Sequence, residues 1–135
     1  MRLRLSNPSD IFLLYSWRND ETTRKMSKNP RRIETKEHWT WFKSNRANFQ
    51  IAEIDGKTVG VVGINTNSGE VSINIAPEFR GKGYGKQMLI EACKGKSLLF
   101  AIIHKDNLAS RKIFEAAGFI QDNQTENEEW LRYLL

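Results

Sequence analysis

The chain has 135 residues, 39% of them hydrophobic and 10% aromatic. That is enough for one globular domain over 1–135, burying roughly two-thirds of its unfolded surface. The longest apolar runs, 11–15 and 98–103, fall far short of the roughly 20 residues needed to cross a bilayer, and a single cysteine, Cys93, excludes an internal disulfide framework or a multi-thiolate metal site. The expectation is a cytoplasmic protein with no membrane partner and no metal, in which Cys93 is a small buried hydrophobe.

The net charge of +5 is unevenly spread: residues 1–50 carry 11 basic and 5 acidic side chains, residues 111–135 carry 3 and 5. Arg24, Lys25, Lys28, Arg31 and Arg32 form a basic cluster suited to a phosphorylated small molecule or a nucleic acid, of which the small molecule is the expectation.

In chain order, Leu3 and Leu5 share one face of a first strand over 2–5. Asn7-Pro8-Ser9-Asp10 is a helix start, with Asn7 as cap and Pro8 at the first helical position, and the helix extends to about Trp17. Thr35 is expected to cap a second helix that runs to about Asn45. The β-like runs 49–54 and 58–64 meet at Asp55-Gly56 and predict a hairpin, which 71–75 joins as a further strand ending at Pro77. A glycine-rich turn leads into a helix over 84–94, on which Gly85, Met88, Leu89 and Ala92 share a face. A buried strand over 98–103, a helix over 109–117 closed by Gly118, and a terminal strand over 130–134 complete the chain. This order predicts an α/β fold with a mixed sheet and helices on both faces.

The segment from Arg80 through Gly81, Lys82, Gly83, Tyr84 and Gly85 to Lys86 joins a strand to a helix through three glycines and three cations. Glycine lets successive N–H groups point into one concavity, the helix start adds positive potential, and the cations add full charges. The expected ligand is a phosphate or pyrophosphate. A dinucleotide fingerprint is excluded because Gly81-x-Gly83 needs a glycine at position 86, which is Lys86. A Walker A loop is excluded because the residue five before Gly95-Lys96-Ser97 is Ile90.

Arg80-x-x-Gly83-x-Gly85 resembles the Q/R-x-x-G-x-G/A signature of GNAT acetyltransferases. Downstream, Asn107-x-x-Ser110-x-x-x-Phe114-Glu115-x-x-Gly118-Phe119 resembles that family's Asn-x-x-Ala/Ser segment with its Tyr/Phe-Glu-x-x-Gly-Phe end. The resemblance implies a mostly antiparallel central sheet of six to seven strands and acetyl-CoA as co-substrate. It implies that the loop holds the CoA pyrophosphate, that the backbone near Ile75 pairs with the pantetheine amides between two splayed strands, and that Asn107, Ser110 and Arg111 line the groove. The tyrosine that many members use as general acid is Phe114 here, so that role does not carry over, and Phe114 becomes a groove wall; Tyr84, His104 and water remain as proton donors.

Amide formation also needs a base to free the amine nucleophile. His104 at a strand end, an imidazole of the kind suited to general-base work, and Glu70, on the alternating face with Ser72 and Asn74, are equal candidates. Trp17-Arg18-Asn19-Asp20 and His38-x-x-Trp41-Phe42 resemble segments of GNAT enzymes that acetylate nucleotide-linked amino sugars, and related segments occur in enzymes acting on protein N-termini. By that resemblance Trp17, Arg18, Asn19, His38 and Trp41 shape the mouth for a small-molecule amine acceptor, although Trp17, Trp41 and Phe42 are equally suited to a core. Cys93, mid-helix with no adjacent histidine, leaves direct transfer without a covalent intermediate. A homodimer is compatible with the sequence.

Overall fold

Strand β1 (Arg2–Leu5) leads through a short 3-10 turn (Pro8–Asp10) into helix α1 (Ile11–Arg18) in the computed structural model, which describes residues 1–122 and 127–135. Asn7 sets the helix start: its side chain accepts the Ser9 N–H, and the Asp10 carboxylate accepts the Asn7 N–H. Pro8 fits there because the first turn has no partner for an N–H. Two nitrogens of the Arg4 guanidinium donate to Asp10 at 2.8 and 2.9 Å, tying the helix start to β1. Burial disfavours the Asp10 carboxylate, but Arg4 and the Asn7 N–H outweigh it and hold its pKa below the ordinary value.

A short helix absent from the sequence expectation, α2 (Glu21–Lys25), follows; Asp20 caps it by accepting the Thr23 N–H. In α3 (Thr35–Asn45) the capping expectation is corrected. Glu34 is the N-cap, without a side-chain bond, and Thr35 is already helical, its hydroxyl 3.4 Å from the Tyr15 oxygen.

Strands β2 (Phe49–Ile54) and β3 (Lys57–Ile64) form the expected hairpin. Asp55 and Gly56 take φ of 51° and 77°, as a two-residue turn matching the strand twist requires. Then come β4 (Val71–Ile75), a 3-10 turn (Pro77–Phe79) and α4 (Tyr84–Cys93). Strand β5 (Phe100–His104) starts later than expected: Leu98 is 88% exposed at φ 60°, outside the strand. Helix α5 (Leu108–Ala116) is capped by Asn107 and followed by Gly118 at positive φ. An unexpected short strand, β6 (Ile120–Gln121), precedes β7 (Trp130–Leu134).

The strands form two sheets, not a single sheet of six to seven. One is antiparallel in the order β1-β2-β3-β4, the other antiparallel in the order β5-β7-β6. Between them, parallel β4 and β5 meet at one bridge, Glu70 to Phe100, where the Phe100 N–H reaches the Gly69 carbonyl at 3.0 Å. Beyond that vertex they part. Pro77, with no N–H to give a ladder, turns the chain away after β4, while β5 pairs with β7 along its whole length.

Both faces of the four-stranded sheet are covered, as expected. Ala52, Val59 and Val62 pack with Met88 and Leu89 of α4 and Phe114 of α5; Ile51 and Val61 pack with Leu14 and Trp17 of α1 and Phe42 of α3. Adjacent strand residues thus serve opposite cores, which fixes the register.

Candidate active site

The gap between β4 and β5 is part of a cleft of about 730 Å3 that extends to the loop before α4. Ala76 donates to Val59 and Glu70 accepts from Asn65, so the even residues of β4 spend their backbone groups on β3. By alternation Val71, Ile73 and Ile75 turn theirs toward the gap. The Ile75 carbonyl is taken by Arg80 Nε at 3.2 Å. Its N–H and both backbone groups of Ile73 are left, among the described residues, for an amide-bearing ligand, so Ile73 joins Ile75 as a candidate that sequence reasoning missed. A strand edge left unpaired in this way is a template for another extended amide chain.

At the other end of the cleft, Gly83 is the N-cap of α4 at φ 79°, and Gly81 lies at φ 76°. A Cβ built on either would meet nothing within 4 Å, so the space before the loop is open. The first N–H groups of α4 have no helical acceptor and carry the positive end of the helix dipole. Gly85 has a second duty: a Cβ there would sit 2.9 Å from Ile113 of α5, so a glycine is needed for these helices to approach.

The three cations differ in placement. Arg80 is an internal strut, not a free charge: Nη2 donates to Asp20 at 2.8 Å and to the Thr23 hydroxyl at 3.2 Å while Nε holds Ile75. Burial disfavours the Asp20 carboxylate, but Arg80 and the Thr23 N–H outweigh it and keep its pKa low. Lys86 lines the cleft, whereas Lys82 lies over the Phe79 ring, 5.8 Å from its centroid, outside the lining. Arg80 lines the cleft together with Lys86, so of the three expected cations only Lys82 lies outside it, and Arg80 is partly committed to Asp20. The network that joins Arg80 to Asp20, Thr23 and Asn74, whose amide reaches it through Thr23 and the Trp17 carbonyl, was not anticipated from the sequence. The available signal was Asp20 three residues before Thr23, a helix-cap spacing.

Asn107, Ser110 and Phe114 line the cleft. The Asn107 carbonyl oxygen caps α5 by accepting the Ser110 N–H at 3.2 Å, leaving its amide N–H groups unused among the described residues. Phe114 is buried and meets Phe119 edge to face. Arg111 does not line the cleft; it turns to the Tyr133 hydroxyl and the Lys105 carbonyl, and that expectation is corrected. Tyr84 lies at the loop end, beside Phe79.

Glu70 and His104 both line the cleft. Glu70 stands at the vertex, exposed, its carboxylate free of ion pairs among the described residues. His104 packs edge-on against Trp130, and its Nδ1 accepts the Asp106 N–H at 3.1 Å. A neutral ring so held carries its proton on Nε2 and has no lone pair left for an amine proton, which favours Glu70 as base.

The five N-terminal candidates sit elsewhere. None of Trp17, Arg18, Asn19, His38 and Trp41 lines this cleft. Trp17 is core. The Asn19 amide brackets Ile33, accepting its N–H at 2.7 Å and donating to its carbonyl at 3.0 Å. His38 is fully buried, donating from Nε2 to the Ile11 carbonyl at 2.7 Å and accepting an Arg18 N–H at Nδ1. Arg18 in turn lies 3.9 Å over Trp41. These residues fix the α1–α3 layer, and the expectation that they form the acceptor mouth is corrected for four of them; Arg18 borders a second, smaller cavity.

Two expected outcomes follow from this layer. Asn19→Ala should cost about 2 kcal/mol of stability in chemical denaturation, since it leaves two partly buried backbone groups unpaired, with no change in acetyl-CoA affinity. Burial lowers the His38 pKa below that of the unfolded chain. The unfolded state therefore binds the proton first: the stability is present above about pH 6.5 and falls as pH drops, with a slope of at most about 1.4 kcal/mol per unit. Denaturation between pH 7.5 and 5 should show this fall, and His38→Gln should remove it.

The model of the acetyltransferase (GNAT) domain family matches residues 1–120. The chain belongs to this family. An uncharacterized protein of Methanocaldococcus jannaschii is 29% identical over 146 residues, covering 96% of this chain; the chain spans only 30% of that relative's length. A crystallised domain from the same organism shares 25% identity at a TM-score of 0.77, covering 98% of this chain and 95% of that one. Spermidine N-acetyltransferase from Vibrio cholerae, solved with CoA and spermine, superposes at 0.80 with 16% identity over 98% of this chain and 92% of its own, a likeness of fold. Among the described residues no helix is long and apolar enough to cross a membrane, and no cluster of three His, Cys, Asp or Glu could hold a metal.

Proposed function

We propose that this domain transfers the acetyl group of acetyl-CoA to a primary amine by direct attack within the cleft. The observation that carries it is the wedge itself: a strand edge with unpaired amides leads from an open glycine loop at a helix N-terminus to a vertex bearing one free carboxylate. Pyrophosphate suits the loop, and the two amides of a pantetheine arm suit the free groups of Ile73 and Ile75. The arm then points the thioester toward Glu70, Ser72 and Asn74.

Glu70, directly or through a water, removes the proton that keeps the amine from attacking. The neutral amine forms a C–N bond to the thioester carbonyl, charge develops on the carbonyl oxygen beside the unpaired N–H groups of β4, the nitrogen gives its second proton to solvent, and the C–S bond breaks to release CoA thiolate. Solvent in this open cleft protonates the thiolate, since Phe114 has no proton to give. An acyl-enzyme on Cys93 is disfavoured: the thiol is buried within α4, and burial pushes its pKa up.

The acceptor we favour is an amine attached to an anionic group, with a nucleotide-linked amino sugar as the finer reading. The basic balance of 1–50 supports it, as does Arg18, which borders a cavity next to the cleft. Mass spectrometry of reactions containing acetyl-CoA and a panel of sugar nucleotides, peptides and polyamines tests it. Sugar nucleotides should be acetylated fastest, and faster turnover of a peptide than of every sugar nucleotide would replace this acceptor with a protein amine.

A further inference from the structure

Beside the cleft lies a second cavity of about 270 Å3, lined by Arg18, Arg24, Arg31 and Glu37 among others. It shares Thr23 and Ser27 with the cleft, so α2 and the turn after it form the wall between them. Among the described residues three arginines face a single carboxylate there. Glu37 is gripped by both terminal nitrogens of Arg31. Arg18 and Arg24 make no ion pair among the described residues.

Both guanidinium groups are nevertheless held in place. Arg18 lies on the Trp41 ring and donates from Nη1 to His38 at 3.0 Å; Arg24 donates to the Asn19 and Pro30 carbonyls at 3.1 and 3.4 Å. Arg18 keeps Nε and Nη2, and Arg24 keeps Nη2, without an acceptor among the described residues. Burial makes the Arg18 charge costly, with only a weaker compensating pull from Glu37. A partly desolvated, preorganised guanidinium pair lacking a counter-ion among the described residues is the arrangement that receives a polyvalent oxyanion. A monocarboxylate would neutralise only one of the two.

We propose that this pocket binds a phosphate ester or diphosphate, carried either by the amine acceptor or by a separate effector. Only the first source rests on the acetyl-transfer reading.

The test is calorimetric titration of pyrophosphate into protein saturated with CoA, so that the glycine loop is already filled. One equivalent should bind, and Arg24→Gln and Arg18→Lys should each weaken it about tenfold or more. Arg24→Gln keeps the test readable if the stacked Arg18 does not tolerate change. The Gly83→Val protein, titrated without CoA, should retain the site, and neither titration requires turnover. Raised KM for a phosphate-bearing amine in the presence of pyrophosphate assigns the pocket to the acceptor; binding without competition assigns it to an effector. No binding to the CoA-saturated protein, or binding unaffected by both substitutions, overturns the proposal.

Discussion

Gly83→Val should abolish the stabilisation that acetyl-CoA confers. With ligand at one hundred times its dissociation constant, mass action adds about 2.7 kcal/mol to the wild-type fold, a thermal shift on the order of 10 °C for a domain of this size. Gly83 sits at φ 79° with open space where its side chain would point. A β-branched residue there strains the backbone by about 1–3 kcal/mol and occupies the room a phosphate needs. The melting temperature without ligand should therefore drop modestly, and the ligand-induced shift should vanish. An undiminished shift in the variant would place the pyrophosphate elsewhere.

Glu70→Gln should lower kcat roughly a hundredfold or more while leaving acetyl-CoA affinity unchanged. The substitution is structurally mild because the side chain is exposed and makes no hydrogen bond or ion pair among the described residues, so a fall in rate reports chemistry. His104→Gln is the comparison. With Nδ1 occupied by the Asp106 N–H, His104 is expected to influence packing against Trp130 more than turnover. A large loss at His104 with none at Glu70, measured as initial rates at saturating acetyl-CoA, would exchange the two assignments.

The cofactor end was legible in the sequence because glycines and a helix start leave a compact local pattern: Gly81, Gly83 and the first turn of α4 lie where the spacing puts them. The Asp55-Gly56 hairpin was legible for the same reason. What escaped were relations between distant segments. Arg80 reads as a phosphate ligand from its neighbours, yet its partner Asp20 lies 60 positions away. Arg111 likewise turns to Tyr133 across the second sheet. The division into two sheets depends on one bridge at Glu70 and on β5 pairing with β7, contacts that no local periodicity encodes. Trp17, Trp41 and Phe42 were ambiguous because aromatics at helical spacing suit both a core and a mouth, and Asn19 suited only a mouth until its partner was known. Asn19 resolves toward structure through its two bonds to Ile33, and Trp17 through its place in the core.

The central claim is that the wedge performs acetyl transfer. Its most direct test is to follow free thiol and acetylated amine together in one reaction containing the purified protein, acetyl-CoA and the acceptor panel. The account predicts thiol release in equal amount to amide formed, dependent on both the amine and Glu70. Tight acetyl-CoA binding with no amine-dependent thiol release from any acceptor would contradict it and leave a domain that binds CoA without turning it over.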